Sequence, residues 1–137
     1  LRLKQEKRNK IALKLNKYIQ LLKEYIEEKI FPEYNKNGES HDLRHIKEVM
    51  RNALILGKKY NVNLDILYTA VAYHDIGDHI DRENHEKVSA KIMKEDKNLN
   101  RFFNTAELQL IKEAIEDHRA SKNRRTKKYI WKDISIS

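Results

Sequence analysis

No cysteine occurs in the chain. Disulfides and thiolate metal sites are therefore excluded, and a reducing compartment suits the composition. One proline and three glycines are too few for the tight turns of a small all-β fold. No apolar run approaches the ~18 residues needed to span a bilayer. The first segment is charged and periodic, without the apolar centre of a signal peptide. Repeats and low-complexity stretches are also missing. What these absences leave is a helical protein, expected to be cytoplasmic and without a membrane partner.

The 137 residues are 39% hydrophobic and 36% charged, enough apolar material for one core and a cleft in a largely helical chain. The expectation is an all-α fold of five to six helices, forming a single domain over residues 1–137. Lys and Arg number 29 against 21 Asp and Glu, a formal charge of +8. The cations concentrate in residues 2–17 and 119–132. Such a field gathers anions, whether a nucleotide, another phosphate ester or nucleic acid. Solvated basic helix faces account for the same charge equally well.

Apolar spacing places the elements. Ile11, Leu15, Tyr18, Leu22, Tyr25 and Ile26 recur at three- and four-residue steps, predicting a basic first helix over about 4–30. Pro32 is expected to stop it, and Asn35-Lys36-Asn37-Gly38 reads as a turn. The core would then run over about 40–137. A second helix starts at Ser40 as N-cap and runs to about Tyr60, with His45, Val49, Ala53 and Leu56 inward and His41 one turn earlier. After the break at Tyr60-Asn61-Val62-Asn63, Asn63 caps a third helix that buries Ile66, Leu67, Ala70, Val71 and His74 and ends near Gly77. Its stretch 68–73 lacks charge on every face, as in a central helix. Asp78-His79-Ile80-Asp81-Arg82 is a polar loop. A fourth helix spans about 83–95, with Val88, Ile92 and Met93 inward. Thr105 caps a fifth, with Leu108, Ile111, Ile115 and His118 on one stripe, and residues 129–134 begin another.

Six histidines are present: His41, His45, His74, His79, His85 and His118. A single histidine on an apolar face is usually a hydrogen-bonded core residue. Several converging from separate helices need partners for their ring nitrogens, and one metal ion is a partner common to all. The most informative pair is His74-Asp75, closing a nearly uncharged helix. A carboxylate there is costly to bury unless a cation or strong donors meet it. Both side chains can reach one ion from a helix end, and imidazole with carboxylate suits Mn²⁺, Fe²⁺, Mg²⁺, Ni²⁺ or Zn²⁺. The plainer alternative is Asp75 as a helix cap or the partner of a buried lysine. His41-Asp42-Leu43-Arg44-His45 has the i, i+4 spacing of a helical zinc site. A zinc peptidase, however, needs a glutamate where Asp42 stands, and a third-ligand pattern follows nowhere.

Tyr73-His74-Asp75-Ile76-Gly77-Asp78, with His45-Ile46-Lys47-Glu48-Val49 about thirty residues earlier, resembles the HD-domain superfamily of metal-dependent phosphohydrolases. Ser40-His41-Asp42-Leu43-Arg44-His45 is similar to small bacterial HD proteins. So are Arg82-Glu83-Asn84-His85-Glu86-Lys87-Val88-Ser89 and Glu116-Asp117-His118-Arg119-Ala120-Ser121, and the similarity runs from about Lys29 to the end. The resemblance implies an all-helical core and a divalent ion on His45, His74 and Asp75. His41 would stand behind them or touch substrate, with the order of His41 and His45 open to reversal. It implies catalytic roles for Asp75, His85 and His118, and phosphate contacts from His41, Arg44 and Arg119. It also implies hydrolysis of a small phosphorylated substrate, a nucleotide or similar ester. The family's late aspartate motif is not matched: Asp133 stands too early, in Lys132-Asp133-Ile134-Ser135-Ile136-Ser137. The expectation is therefore that the ligand-bearing segment follows Ser137 and that a longer chain supplies it; the first residue, Leu1 rather than Met, fits the same expectation. Two other classes stay open, a non-catalytic basic helical module for nucleic acid or a partner protein, and a regulatory helical domain without activity.

Overall fold

In the computed structural model, which describes residues 2–117, one helix is enclosed by the others. This helix, α3 (Leu64–Tyr73), has every residue from Ile66 to Tyr73 buried. Its sequence carries no charge after Asp65, so each face can take an apolar neighbour. Asn63 caps it, its side chain accepting from the N–H groups of Asp65 and Ile66. The helices around it are α1 (Arg2–Tyr25), α2 (Leu43–Lys59), α4 (His85–Glu95) and α5 (Thr105–Asp117). α2 and α5 pack directly on α3, and α4 packs on both α3 and α5. All regular structure among the described residues is helical, as expected.

Pro32 does not stop the first helical run but changes its pitch. The α-helix ends at Tyr25, continues as a π turn over Ile26–Ile30, and tightens to a 3-10 stretch over Phe31–Lys36. Proline has no N–H for the α ladder, and the Phe31 N–H reaches back to the Ile26 carbonyl, one residue further than in an α-helix. The expected stripe on α1 is only half used. Leu22 and Ile26 are buried, whereas Ile11, Leu15 and Tyr18 are exposed, because the helix projects past the body to which its last turns are packed.

α2 differs from its expectation in cap and face. Glu39–His41 forms a separate 3-10 turn, and Asp42 rather than Ser40 caps α2, its carboxylate accepting from the His45 N–H. The buried positions are Ile46, Met50 and Gly57; Leu56 is exposed, and His45, Val49 and Ala53 are half-buried on the flank. Gly57 is closely packed: a Cβ there would lie 2.6 Å from the Leu67 side chain and 2.8 Å from that of Val62, so these side chains would have to shift to admit it. The break at 60–63 is confirmed, with Asn61 in the left-handed region at φ 53°. α4 begins at His85, later than expected, and buries His85, Ser89, Ala90 and Met93, leaving Val88 and Ile92 only half-buried. A 3-10 stretch, Lys97–Arg101, follows. The cap of α5 is Asn104, not Thr105: Asn104 and Glu107 exchange hydrogen bonds of 2.8 and 2.9 Å, a reciprocal capping box. Leu108, Ile111 and Ile115 are buried as expected. His118, Arg119, Asp133 and the helix expected over 129–134 lie outside the described residues.

A polar clamp ties α1 to the end of α4. Asp96 Oδ2 accepts from the hydroxyls of Tyr25 and Tyr73, each at 2.5 Å, and Asn98 adds its N–H and amide to Oδ1 at 3.1 Å. Burial opposes ionisation of Asp96, yet these hydrogen bonds outweigh it and hold the carboxyl below its ordinary range. Burial, then the Asp96 bond and charge, push the Tyr25 hydroxyl up to about 12. Because the folded value of Asp96 is depressed, its contribution is complete above the ordinary value of 3.8 and is lost as pH falls through the folded one. Asp96→Asn is expected to cost about 1–2 kcal/mol near neutral pH and to flatten the acid limb of stability below about pH 4. Urea melts of both proteins across pH 2–7 check this, and identical pH dependence would contradict it.

Candidate metal centre

The backbone turn that follows α3 is held by three buried side chains from elsewhere in the chain. Tyr34, fully buried, donates to the Ala72 carbonyl at 2.7 Å and accepts from the Asp75 N–H at 3.2 Å. Burial raises its hydroxyl well above the ordinary value, and the nearby Asp75 charge adds to the rise against the opposing Asp75 N–H bond. Asn37 donates to the Asp75 carbonyl at 3.0 Å. Ser89, on the inner face of α4, accepts from the Gly77 N–H at 2.9 Å. A Cβ on Gly77 would lie 2.7 Å from Val88 and 3.0 Å from the Ser89 backbone nitrogen, so this turn and α4 approach as closely as glycine permits.

That turn carries His74 and Asp75. The Asp75 side chain is 7% exposed, and three imidazoles face its carboxylate. His41 Nδ1 stands 3.3 Å from Oδ2, His74 Nε2 stands 3.1 Å from Oδ2, and His85 Nε2 stands 3.1 Å from Oδ1. The far nitrogens of two of these rings are committed to backbone carbonyls, His74 Nδ1 to Val71 and His85 Nδ1 to Arg82. A carbonyl only accepts, so each Nδ1 carries the hydrogen, and in the neutral ring each Nε2 is a lone pair. Lone pairs turned toward a carboxylate repel it unless a proton or a cation intervenes. Such carbonyl-anchored imidazoles are the usual outer support of a metal site.

His45 completes the group from the first turn of α2. Ligand atoms of His41, His45 and Asp75 all lie within 4.8 Å of one another, a spread that modest side-chain adjustment closes on one ion at about 2.0–2.2 Å from each. The rings of His41 and His45 meet edge to face with centroids 5.7 Å apart. His41 Nδ1 is buried and makes no hydrogen bond among the described residues. A buried nitrogen without a hydrogen bond, beside a buried carboxylate, fits a cation. Nitrogen and carboxylate oxygen together suit a borderline or hard divalent ion.

The sequence-derived candidates therefore separate as follows. His45, His74, Asp75, His85 and His41 come together. The tightest trio contains His41, whereas the expected trio was His45, His74 and Asp75; His74 instead lies directly against Asp75. Arg44 is exposed on α2 next to His45 in sequence. His79 is exposed, and its ring and N–H both turn to Asn37. Asp78, read as part of a polar loop, is buried. Tyr34, Asn37 and Ser89 were missed as site residues. Ser89 had a signal, since a polar residue at an inward register of α4 needs a partner. Tyr34 and Asn37 had none, because their bonds join residues about forty positions apart.

Helices wrapped round a buried histidine–aspartate cluster make an all-α fold with a candidate metal site at His41, His45 and Asp75. The chain belongs to the HD domain family, whose model matches residues 42–133, and so to a superfamily of metal-dependent phosphohydrolases. It is similar to an uncharacterized protein of Clostridium beijerinckii, 31% identical over 102 residues that cover 71% of this chain and 64% of that relative. The chain thus spans a little under two thirds of the relative's length. No solved structure matches it. Among the described residues, no helix is long and apolar enough to cross a membrane.

Tyr34→Phe deletes one hydroxyl and leaves the Ala72 carbonyl and the Asp75 N–H without that partner. The expected cost is about 1–3 kcal/mol, measured by urea unfolding. Unchanged stability would mean that the hydroxyl does not hold the turn.

Proposed function

We propose that the protein hydrolyses a nucleotide or related small phosphate ester at a divalent ion held around Asp75. The observation that carries this reading is the convergence of imidazole nitrogens from three separate segments on one buried carboxylate. Asp75 is the hub. His41 closes on it from the 3-10 turn and His45 from the first turn of α2, and His41 and His74 both face Oδ2. Asp75, His41 and His45 would hold the ion, Mn²⁺, Fe²⁺, Mg²⁺, Ni²⁺ or Zn²⁺, which when bound would supply an activated water and polarise the phosphoryl group.

The chain's own groups do the rest. Asp75 orients the attacking water through its carboxylate. His85, whose Nε2 meets the opposite carboxylate oxygen from His41 and His74, is placed to hold a phosphoryl oxygen or deliver a proton to the leaving oxygen, work that suits an imidazole. Arg44 offers a guanidinium at the first turn of α2 for the phosphate. The net charge of +8 favours approach of any anionic substrate. His118 and Arg119 keep the roles that the family resemblance implies for them.

One observation favours a second reading. The outer part of α1 exposes Arg2, Lys4, Lys7, Arg8, Lys10, Lys14 and Lys17, a basic surface for nucleic acid. Binding of that kind would weaken steeply with salt and show no turnover.

Metal analysis of the purified protein beside His74→Ala and Asp75→Ala tests the main reading. Bound transition metal is expected in the wild type and little in either variant. Turnover of nucleoside phosphates with added Mn²⁺ should fall by more than about 100-fold in both, since loss of outer-shell partners alone costs about 10–100-fold. Equal metal in all three proteins would remove these residues from the site.

A further inference from the structure

Asn37 is 8% exposed and uses its whole amide. Nδ2 lies 3.0 Å from the His41 carbonyl and 3.0 Å from the Asp75 carbonyl. Oδ1 lies 3.0 Å from the His79 backbone nitrogen and 3.0 Å from His79 Nδ1. The amide can point only one way: carbonyls accept, so the nitrogen faces them, and a backbone N–H donates, so the oxygen faces it. Two donors and two acceptor positions are all filled. The three segments so joined are the 3-10 turn bearing His41, the turn bearing Asp75, and the loop that runs on from His79 to His85.

We propose that Asn37 is a positioning residue that sets the separation of His41 from Asp75 and thereby the affinity of the centre for its ion. The proposal rests on the reading that Asp75 and its histidines hold a divalent cation. Asn37 acts through the backbone of these residues and touches neither the ion nor the substrate. No other side chain of this size substitutes for it. Aspartate lacks the two donors and would set a negative oxygen against two carbonyls, leucine lacks every partner, and glutamine is a methylene too long for a filled site.

The test is titration of the full chain with Co²⁺ alone, followed by its visible absorption. Asn37→Asp is expected to weaken Co²⁺ binding about 10–100-fold while helical circular dichroism is retained. Tyr25→Phe, which loosens the Asp96 clamp, serves as the structural control: it should lower the melting temperature and leave the affinity alone. Asn37→Asp binding Co²⁺ as tightly as wild type would overturn the proposal, as would Tyr25→Phe weakening it equally. Should Asn37→Asp not fold, Asn37→Ser, which buries no charge, replaces it with the same expectation. If the wild type itself binds no Co²⁺, the metal reading fails, and positioning is then judged without metal. The His41 ring and Asp75 amide resonances must shift in the Asn37 variant and stay put in Tyr25→Phe; unshifted resonances would overturn it.

Discussion

A carboxylate almost out of reach of water, ringed by imidazoles, is the constraint around which this molecule is arranged. An isolated buried carboxylate carries a desolvation penalty of several kcal/mol, so Asp75 must be met by positive charge. His41, His74 and His85 stand 3.1–3.3 Å from it, and two of those rings have their other nitrogen tied to a carbonyl. That second layer turns a cluster of histidines into a directed set of lone pairs. A divalent ion would fit between Asp75, His41 and His45, whose ligand atoms lie within 4.8 Å of one another, and would offset the buried carboxylate charge.

The scaffold serves this geometry through rigid elements. α3 delivers His74 and Asp75 from its C-terminal end because its uncharged sequence lets it be enclosed on every side. α2 delivers His45 because Asp42 caps its first turn and bonds the His45 N–H itself. α4 brings His85 at its own first residue, and Ser89 one turn on fastens that helix to the Gly77 N–H. Tyr34 and Asn37 come from the segment that Pro32 re-pitches, so the departure from a regular first helix is also what brings a hydroxyl and an amide under the Asp75 turn.

Much of this was legible in residue order. The enclosed α3, its Asn63 cap, the break at 60–63 and the described part of the α5 stripe, Leu108, Ile111 and Ile115, follow from local pattern and are found where expected, although α3 ends at Tyr73, before Gly77, and leaves His74 half-buried. The family resemblance and the cost of burying Asp75 pointed to a cluster at Asp75, but the trio drawn together is His41, His45 and Asp75, while His74 lies against the Asp75 carboxylate. Other readings failed where two local solutions compete. Ser40 and Asp42 are both good caps, as are Thr105 and Asn104, and only tertiary packing decides between them. The stripe on α2 was one position off, because histidine and alanine on the site-facing flank mimic an inward face. The stripe on α1 was periodic over a length that the body does not cover. Asn37 resembled a turn residue, and its function lies in bonds to Asp75 and His79, 38 and 42 residues away, which no local pattern encodes.

Anomalous diffraction at the manganese edge, from crystals of the protein grown with Mn²⁺, bears most directly on the role assigned to Asp75. One strong peak is expected within bonding distance, about 2.2 Å, of an Asp75 carboxylate oxygen and of imidazole nitrogens from the surrounding histidines. A manganese peak elsewhere, or none at this cluster with the histidines hydrogen-bonded directly to Asp75 as imidazolium donors, would contradict it.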